Sequence, residues 1–261
     1  MNAARAWMGV ALAALLAAPA HATPRRVVSI NLCADQFVVA LADPGQVAAL
    51  SLLAADPALS AVADRARTFP RIRPNAESVL AQKPDLVVSG AWTSRETEAI
   101  LAARKIPVLR LKLAEDFAAI RTQLLQVGAA LGQTSRAEAL AADLDARLAA
   151  IPHAARPPAL VWQAAGFTPG VGTLPDAALR AAGRPNAAPF AGYGTVRLET
   201  LVSNPPALLV LPARVQGGGN SLSESLLSHP ALAAIPRLAI EPAWLACGSP
   251  DSLRAVEALA R

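Results

Sequence analysis

Cys33 is the residue best placed for covalent chemistry, because it follows the apolar run at 27–30 as nucleophiles of α/β enzymes often do. A thiol nucleophile needs a base within reach and surroundings that lower its pKa. No motif here supplies either. Cys33 therefore reads better as a structural or cleft-lining cysteine, and a secreted α/β hydrolase using it stands as the rival. Metal ligation is poorly supported: His153 ends a helical stretch, His229 precedes Pro230, and no His, Cys and carboxylate group has ligand spacing. A binder of free Zn or Mn ions is accordingly a weaker alternative. Gly170, Gly172 and the glycines at 217–219 lack the flanking residues of a phosphate cradle.

Non-covalent binding has more to work with. Aromatic residues make up only 4% of the chain, yet Trp92, Phe167, Tyr193 and Trp244 all fall just beyond expected strands or just ahead of a helix. Rings on several loops suggest a pocket that they line together. Arg65, Arg67, Arg71 and Arg73 either meet an anionic ligand through charge-assisted hydrogen bonds or form a solvated basic loop.

The elements that must position these residues alternate. Apolar runs at 27–30, 47–50, 86–89, 108–111, 160–163, 208–211 and 238–240 read as buried strands, with helical stretches between several of them. This alternation predicts parallel sheets with ligands at the carboxyl ends of the strands, hence at the loops after Ile30, Leu50, Ser89 and Leu111. The first of these loops is Asn31-Leu-Cys-Ala-Asp35; a long loop is expected over 164–172. Residues 135–151 form an uninterrupted amphipathic stretch with apolar Ala137, Leu140, Ala141, Leu144, Leu148 and Ile151. Ser135 and Glu138 have capping-box spacing, Asp143 and Arg147 form an i, i+4 pair, and Pro152 forbids continuation.

On either side of that helix stand two similar segments. In each a glutamate, Glu77 or Glu199, opens a short helix, a proline follows seven residues later, and a strand comes next. The same offset separates Glu77 from Glu199 and Pro84 from Pro206. Two related lobes joined by one helix is the reading: an N-terminal lobe at 23–134, a linking helix at 135–151 and a C-terminal lobe at 152–261.

Residues 1–22 have the form of a cleavable secretory signal peptide: a positive start at Arg5, an apolar core and a small-residue site at Ala20-His21-Ala22. No later apolar run reaches eighteen residues, so no membrane span is expected. The net charge of +5, without interleaved basic and aromatic residues, makes no case for nucleic acid.

Taken in order, RVVSINLCADQ, NAESVLAQKPDLVVSG, the linking helix, GYGTVRLETLVSNPPALLVL and WLACGSPDSLRAVEALA resemble the periplasmic substrate-binding proteins of ABC importers for iron-siderophores and cobalamin. The resemblance implies two α/β lobes, each a mostly parallel sheet flanked by helices, bridged by one long backbone helix with little hinge motion. It implies an interlobe cleft for one metal chelate, no covalent chemistry and no resident cofactor. It also implies that Glu77 and Glu199 engage arginines of a permease dimer, and that Trp92, Phe167 and Tyr193 face the ligand. Asn31, Cys33 and Trp244 join them as candidate contacts. Where the cobalamin binder carries aromatics this chain has Leu53 and Arg71, which leaves room for an anionic ferric chelate; a binder of haem stands as a separate alternative.

Cys33 and Cys247 are the two cysteines of a chain expected to be exported. An oxidising compartment favours pairing, and a bond between them would tie lobe to lobe; unpaired, both would line the cleft. The expectation is a monomeric periplasmic receptor, not an enzyme, that delivers a chelate to an ABC permease.

Overall fold

The computed structural model describes residues 23–213 and 225–261. The expected signal peptide and the glycines at 217–219 lie outside the described residues. The first half builds a five-stranded parallel sheet from β1 (Val27–Ser29), β2 (Val47–Ser51), β3 (Arg71–Ile72), β4 (Leu86–Ser89) and β5 (Val108–Arg110), in the order β3-β2-β1-β4-β5. Helices α1 (Leu32–Leu41), α2 (Ala63–Ala66), α3 (Ala76–Ala81) and α4 (Arg95–Ala103) lie between its strands. Two helices follow, α5 (Phe117–Leu131) and α6 (Thr134–Ala149).

The second half has a three-stranded parallel sheet of β6 (Ala159–Val161), β9 (Leu208–Pro212) and β10 (Arg237–Ile240), in the order β10-β9-β6. An antiparallel pair, β7 (Phe167–Pro169) with β8 (Tyr193–Thr195), stands apart from it. The segment expected as a loop over 164–172 therefore contains a strand. Three residues are too few to show alternation, and the partner lies far along the chain. Helices α7 (Leu174–Ala181), α8 (Leu198–Ser203), α9 (Ala243–Ala246) and α10 (Leu253–Leu259) also belong to this half.

Alternate side chains of a strand point to opposite faces, and here each face feeds a different layer. Val28, Val87 and Ala49 join a small cluster on one face of the first sheet, and Leu160 and Leu209 a second cluster on one face of the second sheet. Val27, Leu86 and Val88 from the first half, with Ala159, Val161 and Val210 from the second, enter one continuous cluster. Further members come from α1, α5, α6, α7 and α10, among them Phe37, Leu124, Leu144, Leu179 and Val256. The two sheets thus share a single hydrophobic layer.

Helix α6 buries Ala137, Ala141 and Leu144, and packs against α5 and α10. Arg121 on α5 pairs with Asp145 at 2.8 Å, while Arg147 reaches both Asp143 at 3.4 Å and Glu257 on α10 at 2.7 Å. The capping box expected at Ser135 and Glu138 does not form. The helix begins at Thr134 after Gln133, which makes no side-chain cap; its amide donates instead to Asp43 and Gln46. A tertiary partner outcompetes the local cap.

A covalent seam reinforces the shared layer. The sulfurs of Cys33, in the first turn of α1, and Cys247, just after α9, are bonded, with their Cα atoms 5.2 Å apart. Next to it the backbone of Gly248 presses on the first half: a Cβ there would lie 2.4 Å from the Cβ of Ala114. Beside the seam Asp35 is fully buried and accepts hydrogen bonds from the Ser51 N–H at 3.1 Å and the Ser51 hydroxyl at 2.5 Å. Burial pushes its carboxyl up from 3.8 to about 6, against the opposing hydrogen bonds from Ser29 and Ser51.

Two outcomes follow. The bond closes a separation of 214 residues, so Cys33→Ser with Cys247→Ser should lower stability by about 2 to 4 kcal/mol in urea unfolding, with reduced wild type matching the variant. For Asp35 the native state keeps a proton that the unfolded chain has lost between about pH 4 and 6, so stability falls as pH rises through that window, by at most about 3 kcal/mol. Asp35→Asn should flatten that part of the pH dependence, measured by urea unfolding at pH 4 and pH 7.

Candidate functional site

In the first sheet the chain runs outward from β1 through β2 to β3, then returns to add β4 and β5 on the other side. The strand order reverses between β1 and β4, and in open parallel sheets ligands bind at the carboxyl ends flanking such a reversal. Asn31 follows β1 there. Its side-chain oxygen accepts from the N–H of Cys33 at 2.9 Å and of Ala34 at 3.4 Å, which caps α1. Its amide lies over Gly90, where a Cβ would come within 2.4 Å of the Asn31 Cγ. Asn31 thus spends its acceptor on the helix, and Cys33 its sulfur on Cys247. A bonded sulfur is no nucleophile, so the hydrolase reading for Cys33 is overturned.

The loop after β4 carries Trp92 on a braced turn. Thr93 Oγ1 accepts from the Gly90 N–H at 3.0 Å, and the Thr93 N–H donates back to the Gly90 carbonyl at 3.0 Å. Arg110 on β5 donates to the Ala91 carbonyl at 3.0 Å and pairs with Glu98, which also accepts from the Ser89 hydroxyl at 2.6 Å. On this turn Trp92 is 82% exposed.

In the second half Phe167 and Tyr193 are diagonal neighbours across the β7–β8 pair, and their rings stack with centroids 5.4 Å apart and planes 9° apart. Both remain partly open to solvent. Burial, with a smaller contribution from the charge of Glu115, holds the Tyr193 hydroxyl above its ordinary pKa. Glu115 lies between β5 and α5, so this aromatic pair feels a charge of the other half.

A cavity of about 450 Å³ opens between the halves. Its walls are the segment from Pro57 to Arg65, beyond β2, and Glu241, Ala243, Trp244, Asp251 and Arg254, beyond β10. The guanidinium of Arg254 lies 4.8 Å from the ring centroid of Trp244, a cation–π distance. Asp251 pairs loosely with Arg65 at 3.8 Å and with Arg254 at 3.7 Å.

Of the residues singled out in the sequence, Trp244 and, from the basic run at 65–73, Arg65 line this cavity. Leu53 is half exposed on the turn after β2. Arg71, on β3, donates to the carbonyls of Arg67 at 3.4 Å and Phe69 at 3.3 Å. Asp251 and Arg254 escaped the sequence reading because they look like any polar residues opening a terminal helix. Glu77 and Glu199 are exposed in the first turns of α3 and α8, and among the described residues neither forms an ion pair. Asn75 caps α3 through the Ser78 N–H at 2.8 Å. His229 accepts from the Ala231 N–H at 3.2 Å. Among the described residues, no three His, Cys, Asp or Glu side chains are grouped to hold a metal ion, and no helix is long and apolar enough to cross a membrane.

Comparison with known proteins places this geometry. A cobalamin-binding protein of Halobacterium salinarum is 27% identical over 197 residues, covering 72% of this chain and 53% of the relative. The chain thus spans about half the length of the curated relatives it matches. Among solved structures, the periplasmic heme-binding protein RhuT from Roseiflexus sp. RS-1 superposes with a TM-score of 0.74 at 24% identity, over 90% of this chain and 98% of that one. A periplasmic heme-binding protein from Pseudomonas aeruginosa gives 0.71 at 26% identity, over 90% and 92%. The model of the family described as periplasmic binding protein matches residues 27–239. On that match over most of its length, this chain belongs to the periplasmic binding protein family.

Proposed function

We propose that the chain captures a metal chelate in the crevice between its halves and delivers it to the permease dimer of an ABC importer. The observation that carries this reading is the cavity walled by both halves, with Trp244 under Arg254 at its floor. Trp92, Leu53 and the Phe167–Tyr193 pair supply further exposed apolar surface. Solvent-exposed rings are costly to leave uncovered and suit a large, partly apolar ligand. The names of the relatives fit a porphyrin, a corrinoid or a ferric siderophore.

In this reading 1–22 directs export, α6 links the two lobes, and the shared layer with its disulfide keeps lobe motion small. Glu77 and Glu199 are the docking carboxylates. A helix-opening glutamate also stabilises its own helix by about 0.3 to 1 kcal/mol. That local role accounts for either residue alone, not for the recurrence of both at one offset with neither ion-paired among the described residues. Two exposed carboxylates, one per lobe, complement a symmetric pair of cationic sites.

The mature protein, isolated from periplasm, should carry or take up a visible chromophore in a one-to-one ratio without turnover. In spectrophotometric titration with haem, dicyanocobinamide and ferric siderophores, Trp92→Ala should weaken the best binder by about 1 to 3 kcal/mol. Unchanged affinity would remove Trp92 from the site. For docking, Glu77→Ala and Glu199→Ala should each leave affinity and melting temperature unaltered while lowering cellular uptake, and reversal of both charges should lower it further. Normal uptake, or lost chelate binding, would return both residues to helix capping.

A further inference from the structure

Several arginines of this chain hold carboxylates at contact distance. Arg121 and Arg147 hold carboxylates at 2.8 Å and 2.7 Å, and Arg136 holds Asp43 at 2.7 Å. Those are contact distances for charge-assisted hydrogen bonds. Arg65 and Arg254 differ. They come from opposite halves and converge on the one carboxylate of Asp251, Arg65 towards Oδ2 at 3.8 Å and Arg254 towards Oδ1 at 3.7 Å. Both separations lie beyond hydrogen-bond reach. Among the described residues neither guanidinium donates a hydrogen bond, although each has five N–H donors.

We propose that Arg65 and Arg254 form an oxyanion subsite for a carboxylate or similar group on the periphery of the chelate, and that Asp251 is the resident carboxylate which that group displaces. This assignment rests on the chelate-capture reading. Both arginine side chains are about half exposed, at 57% and 49%, and border the cavity, so an incoming anion reaches them from solvent. Stacking on Trp244 fixes where Arg254 sits, so little side-chain freedom is lost when it binds. Asp251 has room to give way. The same three residues border an adjoining groove of about 350 Å³, whose floor includes Ala40, Leu140, Leu144 and Leu253. The ligand class is then a chelate with an apolar face for Trp244 and an anionic edge, in preference to a neutral or cationic one. Two other carboxylates border the cavity: Asp64, paired with Arg67 at 2.9 Å, and Glu241, exposed and unpaired among the described residues. Glu241 is the charge that would serve a cationic ligand instead.

The test uses the mature protein and matched probes: haem and its dimethyl ester, cobyric acid and cobinamide, ferrioxamine B and its N-succinyl derivative. Asp251→Asn should tighten the acid member of the bound pair about tenfold and leave the uncharged or cationic member within about twofold, since it removes only the competing charge. Arg65→Gln and Arg254→Gln should each weaken the acid member about tenfold, with Arg254→Lys between Gln and wild type because it keeps charge but loses the planar fork. A gain of affinity in Asp251→Asn cannot come from misfolding. An acid member that Asp251→Asn binds no more tightly, or an equal loss for both members in the arginine variants, overturns the subsite while leaving chelate capture standing. So does a preference for the cationic member that disappears in Glu241→Gln. Failure of the folded wild type to bind any probe overturns chelate capture itself, and the subsite with it.

Discussion

The joining of the two halves through one hydrophobic layer is the constraint on which the rest of the molecule depends. Strands of both sheets send alternate side chains into a cluster that also takes in α1, α5, α6, α7 and α10. At about 25 cal/mol per Å² of apolar surface removed from water, separating such a layer would cost more than any single ligand contact returns. The halves are therefore packed directly against each other and not merely connected by α6. The Cys33–Cys247 bond and the close approach of Gly248 to Ala114 hold the same seam at the carboxyl ends of the strands, where the crevice opens.

That architecture decides how the crevice is furnished. Residues of the layer are apolar and spent on packing, so recognition falls to the loops beyond the strands. These hold their side chains in two ways. Around Trp92 the loop is braced by Arg110, Glu98 and Ser89 at contact distance, and the ring is presented to solvent. Around Trp244 the charges are left loose, with Asp251 shared between arginines of opposite halves. The first arrangement suits a fixed apolar surface and the second an exchangeable electrostatic contact. Asp35 shows the cost of carboxylates nearer the layer: desolvation pushes its pKa to about 6 even with two serines bonded to it.

Much of the fold was legible along the chain. Runs such as Leu86-Val-Val-Ser89 read as buried strands, and the stretch expected to be helical over 135–151 is α6 at Thr134–Ala149, because apolar periodicity depends on near neighbours. The capping box at Ser135 and the loop over 164–172 failed for the opposite reason, since Gln133 and Phe167 found partners distant in sequence.

The sequence by itself determined the α/β alternation, the apolar stripe of α6 and the few aromatic residues available for a pocket. Only the tertiary structure decided that both sheets drain into one layer, that Phe167 stacks on Tyr193, and that Arg65 meets Asp251 and Arg254. Local pattern specifies which face of an element is apolar, but many chain courses bury the same faces equally well. Which polar residues then converge at the rim depends on how two separately formed sheets pack together, and no short stretch of sequence carries that information.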